Sequence, residues 1–383
     1  MTIDFAERLT GWRRHLHANP GLTLQEGPTA AFVVERLREI GVTEIATGVG
    51  GHGVVATLRR GGGNRSVGLR ADMDALPIQE TDTALAWAST VPGVMHACGH
   101  DGHTTALLGA AIRLLADPDW SGTIQLVFQP AEEGGGGARR MIEDGLFQRF
   151  PMDRIFGWHN WPGLEAGTVA VHPGAVMAAG NRFALIIDGH AGHAALPHLT
   201  RDPILAAGHA IVAVQSIVAR TLDPLESGVV SLTMIQGGQA QNQIAGQVEI
   251  KGSMRFLRNE TGDAIIAALE RIAAGIALTF GVAARAEVTS GVPLTANHPA
   301  EAEVAAAAAA EVTQLRRDLP PAMTGEDFSH FLGQVPGAFV WIGNGEASGG
   351  RDLHNSNYDF NDAVLDPASA WLAQVAKTSL GGG

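Results

Sequence analysis

The sequence predicts an α/β fold in which a mostly parallel sheet, packed with helices, is interrupted by a smaller α+β domain. Two observations lead to this prediction. Short apolar runs bounded by Gly, Pro and Asn alternate with amphipathic stretches of helical length. The middle of the chain then changes character. The predicted strands of the larger domain are 66–71, 123–129, 154–158 and 338–342, and its predicted helices are 104–115, 300–313 and 363–375.

The smaller domain is predicted to span residues 181–292, so that 1–180 and 293–383 form the larger domain. Its predicted elements are a strand from about Asn181, a helix at 202–220, strands at 228–235 and 247–257, a helix at 262–279 and a strand at 285–289. These elements form a compact α+β unit inserted into the larger domain, to which the chain returns after Pro293.

The composition limits the class of protein. The 383 residues are 45% hydrophobic and 17% charged, which is typical of a folded protein with a sizeable core. The formal net charge of −13 argues against a nucleic-acid partner. No secretory signal is recognisable, and no apolar run approaches the ~20 residues that cross a bilayer. Cys98 is the single cysteine, which fits a reducing compartment, so we expect a cytoplasmic protein without a membrane partner.

Polar side chains follow the predicted strands of the larger domain at the point where each strand ends. Asp72 and Asp74 come after the first strand, Glu132 and Glu133 after the second, and His159 after the third. Ligands of open α/β sheets gather at the carboxyl ends of the strands, so these side chains are expected to meet at one edge.

Cys98 and His100 lie two residues apart in a glycine-containing loop that opens a helix. A thiolate and an imidazole together favour a borderline metal such as zinc. Adjacent residues such as Glu132 and Glu133 cannot point at one atom, so one carboxylate can bind metal while the other moves protons. The alternative for the glutamates is an acidic start to the next helix, although the glycines at 134–137 favour close backbone approach instead.

Six ordered motifs resemble the aminoacylase/carboxypeptidase-like metallohydrolases, in particular the branch of hippurate hydrolases and indole-acetyl-amino-acid hydrolases. The likeness runs from RRHLHANPG at 13–21 to the last motif. The motifs are LRADMDALP, MHACGHDGH, FQPAEEGGGGA, GHAGHAALPH, TGEDFSHF and LHNSNYDFND.

The resemblance implies two divalent metal ions, whose identity (Zn, Mn, Co or Ni) a mixed S, N and O ligand set leaves open. It implies Glu132 as general base and then general acid, with Asp74 orienting the metal site. Asp72 and Asp101 are further candidates for this orienting role, or simple turn and cap residues. The implied metal ligands are Cys98, which can bridge both ions, His100, Glu133, His159 and His354.

The resemblance implies that the larger domain is the catalytic, metal-binding domain and that the inserted domain is a lid through which the protein dimerises. It also implies roles for three residues of the inserted domain. His193 matches a histidine that donates to the scissile carbonyl, from the same chain or from a partner subunit. The resemblance thus implies a homodimer or higher homo-oligomer. Asn242 and Arg255 match binders of the substrate's carboxylate or carbonyl. Relatives commonly have Asn-Val-Ile-Pro where this chain continues Asn242 with Gln-Ile-Ala, which affects the shape of the amino-acid pocket.

These observations lead to one hypothesis, the metal-dependent hydrolysis of N-acyl amino acids. The same residues also suit a dipeptidase or exopeptidase, or a deacetylase of a diamino acid. A metal-dependent binding protein without turnover and a thiol nucleophile at Cys98 are further alternatives. The retained Glu132 argues against the binding protein.

Overall fold

The computed structural model describes residues 4–347 and 351–381. Its helices are α1 (Phe5–Ala18), α2 (Gly27–Glu39), α3 (His100–Ala116), α4 (Gly137–Glu143), α5 (Leu146–Arg149), α6 (Pro203–Ser216), α7 (Asn259–Phe280), α8 (Pro299–Val312), α9 (Ser329–Leu332) and α10 (Leu365–Gly381). Its strands are β1 (Glu44–Val49), β2 (Gly53–Arg60), β3 (Ser66–Asp72), β4 (Gly122–Gln129), β5 (Arg154–Pro162), β6 (Val169–Ala170), β7 (Ala175–Met177), β8 (Ala179–Asp188), β9 (Gly192–His193), β10 (Gly228–Gly237), β11 (Gln243–Ile244), β12 (Gln247–Phe256), β13 (Ala283–Val292), β14 (Thr295–Ala296), β15 (Leu315–Arg316) and β16 (Gly337–Gly345).

The chain folds into two compact units. The first unit contains the residues up to Val176, 296–320, and those from Asp327 onward, and the second contains 177–295 together with 321–326. The predicted boundaries at 181 and 292 lie inside the second unit. The return of 321–326 to that unit was not predicted, because nothing in the local sequence distinguishes this short segment from its neighbours.

An eight-stranded sheet organises the first unit, in the order β1-β2-β4-β3-β5-β16-β6-β15. Strands β4, β3, β5 and β16 run parallel and form its centre. The central strands are buried on both faces, as the apolar runs predicted. The predicted fold class, a mostly parallel α/β sheet with a second α+β unit, is therefore confirmed.

Helix α3 lies at the centre of the packing in the first unit. It is buried along most of its length, and it contacts α1, α2 and α10 as well as β3. Its small and apolar residues, such as Leu107, Leu108 and Ala111, are fully buried in the main core. A helix that is apolar almost all round is stable only inside a core. The first turn of α3 is thereby held rigidly.

The second unit has a four-stranded antiparallel sheet in the order β10-β12-β8-β13, against which α6 and α7 pack. Alternate residues of β12, including Val248, Ile250 and Met254, are buried in a core of their own. This alternation is typical of a sheet with one covered face. Strands β9 and β11 form a separate two-stranded ribbon.

The helical stretch Pro203–Thr221 has 19 residues with a mean hydropathy of 1.4, which is long and apolar enough to cross a membrane by length and composition alone. The expectation that no such run exists was therefore wrong. A single stretch of this kind is weak evidence for a membrane span.

Candidate metal centre

The predicted site residues of the first unit lie where the parallel strands end. Asp72 is the last residue of β3, the Glu132 and Glu133 pair follows β4 in a loop, and His159 lies near the end of β5. Cys98 lies two residues before His100, the first residue of α3, with Gly99 between them as the N-cap. The helical alternative for the two glutamates is excluded, because α4 begins only at Gly137.

One group of donor atoms consists of Cys98, His100 and His159, all buried, with ligand atoms within 4.8 Å of one another. Nε2 of His159 lies 3.2 Å from Sγ of Cys98, while its Nδ1 lies 2.7 Å from the carbonyl oxygen of Asn160. Nδ1 of His100 lies 2.8 Å from the carbonyl oxygen of Asp74. In the neutral imidazoles each Nδ1 donates its proton to a carbonyl, so that each Nε2 presents a lone pair to a metal.

A second group consists of Cys98, Glu133 and His354, again within 4.8 Å of one another. Nε2 of His354 lies 3.1 Å from Oε1 of Glu133. His354 has a left-handed backbone with φ +61°, and its side chain is 51% exposed. The two groups share the sulfur of Cys98.

Asp74 holds the loop that carries the two glutamates. Its Oδ1 accepts the backbone N–H of Glu132 at 3.0 Å, and its Oδ2 accepts that of Glu133 at 3.0 Å. Thr23 donates its hydroxyl to Oδ2 at 2.7 Å. The side chain of Asp74 is buried, and Nδ1 of His100 lies 3.3 Å from its Oδ1. Asp74 thus connects both glutamates to the histidine of the first donor group.

Asp72 is an anchor beneath the site rather than a turn residue. Asp72 is fully buried, and its Oδ2 accepts a hydrogen bond from Nη1 of Arg70 at 2.7 Å. Its Oδ1 forms a hydrogen bond of 2.6 Å with Nδ1 of His103. Thr104 donates its hydroxyl to the carbonyl of Asp72 at 2.7 Å. These contacts join the end of β3 to the first turns of α3. Asp101 is also buried, and it bonds to residues of α1.

The electrostatics of the site favour a bound cation. Burial and the nearby Glu133 raise the pKa of the Cys98 thiol well above its usual value. Burial alone would lower the pKa of His100, but Asp72 and Asp74 raise it to about 10. A divalent cation would supply positive charge here and keep the thiol deprotonated. Nε2 of His100 is buried without a hydrogen-bond partner among the described residues, so the donor set fits metal ions.

Residues 68–378 match peptidase family M20/M25/M40. The chain belongs to this family. It is 40% identical to the hippurate hydrolase of Campylobacter jejuni, covering 98% of this chain and 97% of that one. It is 39% identical to an N-acetyl-L-cysteine deacetylase of Bacillus subtilis, covering 98% and 88%. A solved M20 structure from Bacillus subtilis, titled a dinuclear metal binding peptidase, matches with a TM-score of 0.88 and 34% identity, covering 99% of each chain.

Membership of the M20 family and the presence of the donor groups define the general activity. This M20 protein is a metal-dependent amidohydrolase. The predicted hydrolase class, including the resemblance to hippurate hydrolase, is confirmed. The relatives cleave different acylated amino acids according to their names, so family membership leaves the substrate open.

The other predicted site residues of the M20 chain belong to the second unit. His193 in β9 pairs with Gln243 in β11, and the carbonyl of Asn242 accepts the N–H of Ala194 at 2.9 Å. His193 and Asn242 are exposed. Arg255 lies in β12, opposite Gly180 of β8, and is partly buried. His193 and Asn242 therefore share one ribbon, whereas Arg255 lies on the four-stranded sheet.

Two residues of the M20 site were not predicted. Asn160 donates from Nδ2 to the carbonyl of Cys98 at 2.6 Å, and its Oδ1 accepts the hydroxyl of Tyr358 at 2.7 Å. These buried bonds join the segments that carry Cys98, His159 and His354. The position of Asn160 directly after His159 was the available signal, but its partners are distant in sequence.

Proposed function

We propose that this enzyme hydrolyses the amide bond of N-acyl amino acids, releasing a carboxylic acid and a free amino acid. The observation that carries the proposal is the pair of donor groups sharing Cys98, with Glu132 beside them. The names of the two relatives contain hippurate and N-acetyl-L-cysteine. Both compounds are N-acyl amino acids, which supports this substrate class.

Two divalent ions would be held by the two donor groups. Cys98, His100 and His159 would hold one ion, and Cys98, Glu133 and His354 the other. Sulfur, nitrogen and oxygen donors suit Zn, Mn, Co or Ni, so the donor chemistry does not select one metal.

Glu132 is the proposed general base. When bound, the ions would polarise the scissile carbonyl and lower the pKa of a water molecule. Glu132 is only partly buried, and its loop is fixed by Asp74. The N–H of Asp327 lies 3.3 Å from Oε1 of Glu132, which limits the directions that the carboxylate can face. Glu132 takes the proton of the attacking water and returns it to the nitrogen of the leaving amino acid.

His193 is the proposed donor to the developing oxyanion. Its Nδ1 accepts the backbone N–H of Ala195 at 3.1 Å. In a neutral imidazole, this bond leaves the proton on Nε2, so Nε2–H is a ready donor. Asn242 and Arg255 are proposed to bind the carboxylate or carbonyl of the substrate, for which a planar guanidinium is suited.

The second unit is the proposed lid and dimerisation domain. Its β10 is an edge strand, and apolar side chains such as Val212 of α6 (73% exposed) and Met234 of β10 (50% exposed) face outward. Exposed apolar patches and open strand edges favour association with a second copy. Sedimentation equilibrium tests this, because a strictly monomeric mass would contradict it.

Variants of the adjacent glutamates test the mechanism. The metal content and the turnover of a panel of N-acyl amino acids would be measured for the wild type, Glu132→Gln and Glu133→Gln. We expect Glu132→Gln to retain its metal and lose about 10²- to 10⁴-fold in kcat, the usual contribution of general acid–base catalysis. Glu133→Gln should lose bound metal together with activity. Glu143→Gln, on the exposed side of α4, is the matched control.

The outcomes separate the alternatives. Glu132→Gln with wild-type turnover would refute the base assignment. A wild type that binds metal but cleaves only dipeptides on an extended panel would replace the N-acyl amino acid proposal with a peptidase.

A further inference from the structure

The indole of Trp161 forms an aromatic platform at the carboxyl end of β5, next to the first donor group. Trp161 is two residues after His159 in β5, so the two side chains lie on the same face of the strand. Their ring centroids are 6.4 Å apart, and the rings meet edge to face at 79°. All of these atoms belong to the first unit.

The platform is rigid because a second tryptophan supports it. Trp341 of β16 stacks on Trp161 with centroids 3.7 Å apart and planes 5° from parallel. Trp341 is 2% exposed, and His172 packs against it edge to face at 4.4 Å. In the parallel register Trp341 lies beside His159, so adjacent strands fix both layers of the stack. Trp161 itself remains partly exposed.

We propose that Trp161 forms the wall of an acyl subsite that prefers an aromatic acyl group. This proposal rests on the hydrolysis of N-acyl amino acids proposed above. In a benzoyl amide the ring is joined directly to the scissile carbonyl carbon, which must lie at the donor group containing His159. Trp161 lies 6.4 Å from the imidazole of His159, so an aryl group on a carbonyl held there would come within reach of the indole, and aromatic rings attract one another at centroid separations of about 4.5–7 Å.

The geometry favours a flat aryl group over an acetyl group. An acetyl group ends one carbon beyond the carbonyl and presents only a methyl group to the indole. A benzoyl ring covers more of the indole surface, and it loses little freedom because both rings are rigid. Trp161 is thus a specificity-determining residue rather than a catalytic one.

The test compares N-benzoylglycine with N-acetylglycine, which differ only in the acyl group. The ratio of their kcat/KM values is measured for the wild type, Trp161→Phe, Trp161→Leu and Trp161→Ala. We expect the benzoyl-to-acetyl ratio to fall about tenfold in Trp161→Ala and Trp161→Leu, and to be largely retained in Trp161→Phe, because an aromatic contact is worth roughly this factor beyond buried area. Trp87→Ala is the control, since Trp87 is another partly exposed tryptophan, packed on Arg14.

Direct binding provides a readout that does not depend on turnover. Calorimetric titration of metal-loaded Glu132→Gln with the two substrates should show tighter binding of N-benzoylglycine, and the added change Trp161→Leu should remove most of the difference. An unchanged ratio in the Trp161 variants, or an equal fall in Trp87→Ala, would overturn the aryl subsite while leaving the proposed function intact. A wild type that hydrolyses neither compound nor any other N-acyl amino acid would instead overturn the proposed function.

Discussion

His17 of α1 is buried between two carboxylates, which makes the stability of the first unit depend on pH. Its Nδ1 lies 2.8 Å from Asp101 and its Nε2 lies 3.3 Å from Glu80, while Arg13 also pairs with Asp101 at 3.1 Å. Burial alone would lower the pKa of His17, but the hydrogen bonds to Asp101 and Glu80 raise it to about 9. The neighbouring His96 carries no competing charge, since burial lowers its pKa to about 4.

The size and sign of the effect follow from this pKa. In the unfolded chain the pKa of His17 returns to 6.5, and the rise to about 9 in the folded protein corresponds to roughly 3 kcal/mol, at about 1.4 kcal/mol per pKa unit. The folded state binds the proton more tightly than the unfolded state does. The stabilisation is therefore complete below pH 6.5 and is lost as the pH rises through 9.

Urea unfolding of the wild type and His17→Gln at pH 6 and at pH 9.5 measures this contribution. We expect the difference in free energy of unfolding between the two proteins to be about 3 kcal/mol larger at pH 6 than at pH 9.5. His15→Asn is the control, because His15 lies on the exposed side of the same helix and leaves the buried carboxylates in place. A difference between wild type and His17→Gln that is the same at both pH values would refute the reasoning.

Two further predictions concern the turn before α3. Gly99 has φ +93°, and a Cβ there would lie 2.6 Å from the hydroxyl of Tyr358 and closer still to Nδ2 of Asn160. We expect Gly99→Ala to lower the free energy of unfolding by about 3 kcal/mol or more. The control is Gly93→Ala, where φ is +74° but the space around the residue is open, and there we expect a loss of about 1–2 kcal/mol. Urea midpoints that fall equally in the two variants would contradict this. Tyr358→Phe removes the hydroxyl that donates to buried Asn160, so we expect the free energy of unfolding to fall by about 1–3 kcal/mol in the same assay. An unchanged urea midpoint would show that this hydrogen bond contributes nothing to stability.

The sequence predicts the elements whose signal is local. The apolar runs at 66–71 and 123–129 correspond to β3 and β4 within one residue at each end, because strands buried on both faces must be continuously apolar. The polar residues after them indicated the edge at which Asp72, Glu132 and Glu133 now lie.

Other features depend on contacts between distant segments. The hairpin of β1 and β2 was not predicted, although Gly50 and Gly51 form its turn, because β2 is specified by its pairing with β4 far along the chain. The bonds of Asn160 to Cys98 and Tyr358 likewise join residues that no periodicity connects. The pairing of His17 with Asp101 has the same origin, since the two residues are 84 positions apart.

Because β16 lies inside the eight-stranded sheet, the sheet can be completed only after β16 has been synthesised. β5 pairs on one side with β3, which is made before it, but its other partner, β16, is translated only after the second unit. Most of the second unit is continuous in sequence, so its core can form while β16 is still inside the ribosome. His354 emerges later still. A nascent chain therefore holds an unfinished sheet and an incomplete set of candidate donor groups until the segment with β16 and His354 has been translated.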